Sequence, residues 1–375
     1  MKEITGRSRS ARPVRWAAAA ASAVAMGGCA TTAIEQNFSS AQQFGRERLG
    51  AEVKWLRTDE ARRDARTEVD KLLAAPLTAD GAVQIALAYS PALQAMLYEG
   101  AANSASATQA TRLPNPVFTF ERLVRSVAGI RELEITRALS VSVLDLLLLP
   151  TRLRLADYQQ QANRFALAAN VVHAATEARR AWVVAVAAQQ SLQYAKQVKG
   201  SADATAELAR RMQAVGNYSK LQRAREQAFA ADAVTQLARS MQAVRSSREA
   251  LIRALGLDTK QAETLTLPER LPDLPSVPND EAVIAQAAMD ERLDVRLARA
   301  SLDFIAREQG LTTVTSFVNG LDVGVKTDSE TGRGIQRGYD LAVPLPIFDF
   351  GDAARSRARA TYMAALNRAA QLTVD

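Results

Sequence analysis

From Thr151 to Gln213 the chain carries no proline and a single glycine, Gly200. About 60 residues at 1.5 Å rise each predict a helix of roughly 90 Å. That is several times the usual globular length of about 10–14 residues. No single compact core encloses such a rod, so its apolar stripe must be buried against other long helices. "AVGNYSKLQ" (214–222) breaks the run with Gly216 and Asn217, and a second long helix is predicted from Ser219 to about Leu255. Gly256 then stands where a helix ends on a left-handed residue. The pair reads as a helical hairpin with coiled-coil-like packing. Composition fits: 48% of residues are apolar but only 5% aromatic, with alanine supplying much of the apolar share. Alanine favours helices that approach one another closely.

Short alternating segments flank the hairpin. "ELEITRALSVSV" (132–143) places Leu133, Ile135, Leu139, Val141 and Val143 on one side. Glu134, Thr136, Ala138, Ser140 and Ser142 fall on the other, a period of two that predicts a strand with one apolar face. Arg137 alone violates it. "PNPVFTFERLV" (114–124) is a strand before it, and "FVNGLDVGVK" (317–326) and "IQRGYDLAVPLPI" (335–347) predict two more. The last gathers Ile335, Tyr339, Leu341, Val343, Leu345 and Ile347 on one face, again with an arginine, Arg337. Pro344 and Pro346 cannot donate to a ladder.

Further helices are predicted over 50–77, as a pair over 77–113 capped by Asp80 and opened by Ser90–Pro91, as a pair over 279–310, and from Gly351 onward. Residues 30–50 read as irregular, and "LPERLPDLPSVPND" (267–280) as an extended linker.

The N-terminus has a character of its own. Lys2, Arg7, Arg9, Arg12 and Arg15 precede the uncharged "WAAAAASAVAM" (16–26), then Gly27, Gly28 and Cys29, the chain's only cysteine. A basic region, a short apolar region and small residues constitute a secretory signal. The apolar run is shorter than the roughly 20 residues a spanning helix needs. A cysteine directly after small residues resembles the lipobox of bacterial lipoproteins. That resemblance implies cleavage before Cys29 and acylation of its thiol, and Ala30 after it implies outer-membrane sorting. The net charge of +7 owes four units to the first fifteen residues, so the remainder is only mildly basic. It offers no basic patch interleaved with aromatics and hence no nucleic-acid surface.

The chain repeats itself. "DGAVQIALAYSPALQAM" from Asp80 lies over "DEAVIAQAAMDERLDVR" from Asp280, and "LSVSVLD" (139–145) over "VPLPIFD" (343–349). Tyr158 meets Tyr362, and both halves run helix pair, strand, strand, long helix. A period near 200 residues indicates duplication.

Together with the lipobox, this duplicated unit, "LPNPVFTF", "AVGNYSKLQRAREQ" and "VPLPIFDFGDAARSRA" resemble the TolC-like outer membrane factor family over roughly residues 77–375. The resemblance implies a mainly α fold with four β-strands. Long α-helical hairpins would form a periplasmic α-barrel, and the strands would enter a trimeric transmembrane β-barrel. Its implied organisation is signal 1–28, N-terminal segment 29–76, first repeat 77–266, linker 267–279 and second repeat 280–375. The second repeat ends about 25 residues into its long helix, before any second hairpin, which implies a fragment or truncated product.

The implied function is the outer-membrane channel subunit of a tripartite efflux pump. Such a homotrimer lies in outer-membrane lipid, with a periplasmic adaptor and an inner-membrane pump as partners. Alternatives are an exit duct for type I protein secretion, or a periplasmic helical lipoprotein with a structural or binding role. The resemblance places adaptor contact at the hairpin turn, on Arg211, Val215, Gly216, Ser219, Leu221 and Arg223.

No catalytic or cofactor-binding residues are expected, nor any metal site. His173, the only histidine, sits mid-helix without a cysteine partner. No Walker or Rossmann glycine fingerprint and no nucleophile elbow is present. "GRGIQRG" (332–338) reads as a hairpin loop. Asp145 and Asp349 follow strands and suit turns or caps, and "EARRDAR" (60–66) suits a solvated helix face.

Overall fold

The computed structural model describes residues 28–127, 129–274, 292–317 and 320–372. The predicted signal (to residue 27), residues 275–279 of the linker and the first helix of the second pair (to residue 291) lie outside them. The fold is mainly helical with one four-stranded sheet, as expected. It divides into two compact units. One comprises Met1–Asn37, Gly100–Ala166 and Glu291–Asp375, the other Phe38–Glu99 and Leu167–Asp290.

Helix α1 covers Gly28–Phe44 and continues into a π-helical turn, Gly45–Leu49. This overturns the expectation of irregular chain over 30–50. Ala33, Ile34, Asn37, Phe38 and Ala41 recur at helical spacing, and the polar residues between them mask that stripe. Asn37 is buried. Its amide donates to Ser104 Oγ and Gln160 Oε1, both at 2.8 Å, and its carbonyl accepts from Arg164 at 2.9 Å. A buried amide satisfied on both ends fixes where α1 sits in its unit.

The expected helix over 50–77 is shorter. Residues 51–58 are extended because the chain finds a partner for its backbone there. The Lys54 amide donates to Leu87 O (3.1 Å). The Gln94 side chain accepts from the Leu56 amide and donates to Lys54 O. Helix α2 (Asp59–Leu73) begins only after its cap, Thr58.

Helices α3 (Ala79–Tyr89) and α4 (Pro91–Ala110) form the predicted pair. The cap of α3 is Thr78, whose hydroxyl accepts from the Gly81 amide, so Asp80 belongs to the first turn instead. A side-chain oxygen one turn ahead of the helix reaches that amide and Asp80 does not. Asp80 pairs with Arg179 (2.8 Å).

Helix α3 buries residues all round: Ala82, Ile85 and Ala86 into one cluster, Val83 and Leu87 into another. A helix apolar on every side must lie at the centre of its unit. The first cluster adds Trp182, Val186, Leu251 and Leu255, and the Trp182 indole donates to Leu77 O at 2.7 Å.

After α4 come β1 (Val117–Val127) and β2 (Ile130–Ser142). Helix α5 (Val143–Ala214) has 72 residues, longer than predicted. It starts eight residues early and accommodates Pro150 within it. The leucines of "VLDLLLL" are strong helix formers, and the missing Pro150 N–H removes one intrahelical bond without ending the helix. Helix α6 (Lys220–Leu255) and the short α7 (Thr259–Thr264) follow, and residues 265–274 carry no regular element, as the prolines require.

Helix α8 (Leu293–Thr315) leads to β3 (Asp322–Glu330) and β4 (Gln336–Ala342), then α9 (Asp352–Gln371). Strand β3 is shifted toward the loop relative to expectation. It follows the pairing of β2, where Ser142 meets Asp322 and Glu134 meets Glu330. Strand β4 stops before Pro344 rather than running to Ile347, because ladder donation ends at proline. The sheet order is β1-β2-β3-β4, antiparallel throughout, so β1 and β4 are open edges.

Gly256 closes α6 at φ +72°. The Leu257 amide bonds Ile252 O (3.1 Å) and the Gly256 amide bonds Arg253 O (3.2 Å), a Schellman ending. A Cβ at Gly256 would lie 2.1 Å from Pro91 Cδ. Gly256→Ala is therefore expected to destabilise the protein by about 1–3 kcal/mol, read as a lowered thermal midpoint. Gly200→Ala, mid-helix with open space around it, should leave the midpoint unchanged or raise it.

Candidate functional site

Two features concentrate the polar and apolar chemistry of the surface, the sheet in one unit and the α5–α6 turn in the other.

In the sheet, directly paired residues share a face. Thr119, Ala138 and Lys326 are one such row, and Phe118, Leu139, Val325 and Tyr339 another. Tracing every pair sorts the strands without a bulge. All seven strand carboxylates, from Glu121, Glu132, Glu134, Asp322, Asp328, Glu330 and Asp340, lie on one face. Two cations join them. Arg125 bonds Glu132 (2.7 Å), and Lys326 Nζ lies 3.3 Å from Asp328. The Thr136 hydroxyl donates to Asp328 at 2.6 Å across the β2–β3 pair.

The opposite face carries Phe118, Phe120, Val124, Leu133, Ile135, Leu139, Val141, Val323, Val325, Tyr339 and Leu341, with no carboxylate. The predicted alternation is thus present on all four strands. Most of these side chains are exposed within the chain, Tyr339 at 86%. Beyond β4 the apolar series continues through Val343, Leu345 and Ile347, ending in the exposed Phe348 and Phe350.

The hairpin loops fit their sequence. Gly129 adopts φ +79° between β1 and β2. Between β3 and β4, the Thr331 hydroxyl accepts from the Leu133 amide, which ties the "GRGIQRG" loop to β2. Asp349 Oδ1 accepts from the Gly351 amide (2.8 Å), and Asp145 in the first turn of α5 pairs with Arg152. Both have the turn and helix-end roles expected of them.

At the turn, α5 ends in a second Schellman motif. The Asn217 amide bonds Met212 O (2.9 Å) and the Gly216 amide bonds Gln213 O (3.0 Å), with Gly216 at φ +81°. Ser219 then caps α6. Its hydroxyl accepts from the Gln222 amide (3.2 Å) while Gln222 Oε1 accepts from the Ser219 amide (2.7 Å). This reciprocal box fixes the exit of the turn. Val215 and Leu221 project outward at 70% and 61% exposure. Arg211 bonds Glu207 (2.8 Å), and Arg223 donates to Gln213 Oε1 (2.8 Å). All six predicted tip residues therefore gather at one turn.

Sequence reading missed Glu207 there. Hydrogen bonds from Arg210 and then Arg211 hold its carboxyl down at about 2. The signal was the i, i+3 and i, i+4 spacing of Glu207 to two arginines.

His173 is exposed on α5, and no cluster of three or more metal-ligating side chains occurs among the described residues. None of the described helices is long and apolar enough to cross a membrane. Cys29 lies in the first turn of α1.

No protein-family model and no curated protein matches the sequence. Solved structures do. The outer membrane protein VceC of Vibrio cholerae aligns at TM-score 0.58 and 16% identity, over 79% of this chain and 75% of that one. The Campylobacter jejuni CmeC outer membrane channel aligns at 0.60 and 14%, over 83% and 69%. The outer-membrane channel OprN aligns at 0.61 and 18%, over 82% and 72%.

Because its folded value lies below the ordinary 4.5, the ionised Glu207 stabilises the turn fully above that unfolded value. The contribution fades as pH falls toward 2. A carboxyl NMR titration should place the Glu207 midpoint near 2, and Arg210→Gln should raise it. Helical hairpin, alternating sheet and structural neighbours agree on one architecture: the chain has the TolC-like outer membrane channel fold.

Proposed function

We propose that this protein is the outer-membrane channel subunit of a tripartite efflux system, a passive duct for small molecules or metal ions. The observation that carries the reading is the segregation of the sheet, with every carboxylate on one face and an apolar surface on the other. In hydrocarbon an open sheet edge leaves backbone donors and acceptors unsatisfied, so four strands cannot stand there alone. Three copies joined β4 to β1 make a closed twelve-stranded barrel with acidic faces inward and apolar faces to lipid. The strands run 7–13 residues, close to the 9–11 a tilted spanning strand needs.

The channel acts without catalysis. Energy comes from an inner-membrane pump, coupled through a periplasmic adaptor that docks at the α5–α6 turn. Val215 and Leu221 supply the apolar contact there, Arg211 and Arg223 the polar rim, while Gly216 and Ser219 set the backbone. Residues 1–28 form the cleaved signal of this reading, and Cys29 becomes the acylated N-terminus of an outer-membrane lipoprotein. Residues 29–76 lead into the first repeat (77–266), the linker (267–279) and the second repeat (280–375).

Single cysteines carrying a fluorophore test the wall. Placed at Leu139 and Leu341 in reconstituted trimers, they should be quenched by acyl-chain nitroxides. At Ser140 and Asp340 they should be quenched by aqueous iodide instead. Uniform iodide quenching at all four sites would sink the channel reading. Separately, Cys29→Ser should abolish incorporation of labelled palmitate, and labelling that persists would overturn the lipid anchor.

A further inference from the structure

The apolar face of the sheet has one exception that the channel reading leaves unexplained. Arg122, Arg131, Arg137 and Arg337 lie on it. Arg137 and Arg337 both pair with Thr327, one from each side, so they occupy a single row. At a strand spacing of about 4.8 Å their backbones are roughly 10 Å apart. Arg122 pairs with Ile135, one row further toward the hairpin loops and diagonal to Arg137, a separation of about 7–8 Å. Arg131, opposite Ser126, lies still nearer the loops; all four side chains are exposed, and none has a hydrogen-bond or ion-pair partner among the described residues.

Pairing within the sheet is impossible, since every strand carboxylate projects from the other side. A second copy joined across β4 and β1 would not help either. It brings Phe118, Phe120, Arg122, Val124 and Ser126 to this face, again without an acid. Four guanidiniums per chain thus share this face with no counter-ion among the described residues.

Their height in the wall identifies the counter-ion. Arginine on the lipid face of a barrel costs about 2–4 kcal/mol at the midplane but only about 0–1 at an interface. From the Arg137–Arg337 row toward the start of α5 the same face carries Leu139, Tyr339, Val141, Val323 and Leu341 without a charge, whereas toward the hairpin loops it carries Arg122, Ser329, Ser126 and Arg131. Phe348 and Phe350, 98% and 59% exposed, follow β4 on that side, where an aromatic girdle belongs. The arginines therefore mark the opposite edge, on the side of the sheet away from the start of α5, facing the headgroups of the outer leaflet.

We propose that Arg122, Arg137 and Arg337 form an outward collar that binds the phosphate groups of an anionic glycolipid in the outer leaflet. The proposal rests on the membrane-wall reading of the sheet. Guanidinium groups suit it because they bond phosphate oxygens in pairs. Two cations about 10 Å apart in one row, with a third diagonal to them, fit a headgroup that bears two phosphates.

The test uses purified full-length trimers and native mass spectrometry. The probes are bis-phosphorylated lipid A, the same lipid dephosphorylated, phosphatidylglycerol, and inorganic phosphate as competitor. Retention of bis-phosphorylated lipid A is expected, with a drop of about tenfold or more in the R122Q/R137Q/R337Q variant, as loss of several charge-assisted bonds implies. R125Q, on the acidic face, should leave retention unchanged. Dephosphorylated lipid should bind as weakly to the wild type as intact lipid does to the triple variant, and millimolar phosphate should not compete.

Equal retention of the two lipid A forms by the wild type would overturn the collar, and that comparison requires no variant to fold. So would phosphatidylglycerol binding as tightly as lipid A, or competition by free phosphate. The Leu139 acyl-chain quenching separates the two levels. If it is present while lipid selectivity is absent, only the collar fails. If it is absent, the wall reading fails and the collar with it.

Discussion

Two rows of backbone N–H and C=O groups, along the outer edges of β1 and β4, have no strand to pair with among the described residues. The rest of the surface is arranged around that constraint. An edge in water is tolerable if it is short or charged, but these strands expose aromatic and branched side chains on one face. In the channel reading, a sheet apolar on one face and acidic on the other finds a stable environment where its edges close and its apolar face meets hydrocarbon. The closed trimer we propose answers both demands.

The helical part obeys a different economy. Its cores are thin and built on small residues: Ala82, Ala86, Ala178 and Ala185 lie among a few leucines and a single tryptophan. Close approach replaces bulk, and directional bonds supply what thin packing lacks. Trp182 reaches the Leu77 carbonyl, and Gln94 completes the backbone pairing of 51–58. Both long helices end in left-handed glycines with amides folded back onto the preceding turn, so the hairpin's two reversals are fixed by backbone geometry.

Much of this was legible in advance. The proline-free run fixed the helical hairpin, Gly216 and Gly256 its limits, all four strands were found, and the period of two gave the apolar faces of β2 and β4. Even the anomalies were visible, since Arg137 and Arg337 stand out against an apolar alternation. What escaped the sequence had local causes. Helix α1 hid because its stripe is half polar, with Asn37 buried by a network whose members are 67 and 123 residues away. The segment 51–58 looks helical by composition yet is extended, because its hydrogen bonds come from Leu87 and Gln94. Pro150 looked like a boundary and is not one.

The sequence by itself determined which segments are rods, which are strands and which face of each strand is apolar, because those follow from periods of 3.6 and 2 read one window at a time. Only the tertiary structure decided the register. Pairing Arg137 with Thr327 and Thr327 with Arg337 is what gathers the arginines into a row and sends every carboxylate to the other side. A slip of one residue would mix them. Register is a relation between segments nearly 200 residues apart, and it is set by turns and ladder bonds that no local pattern encodes.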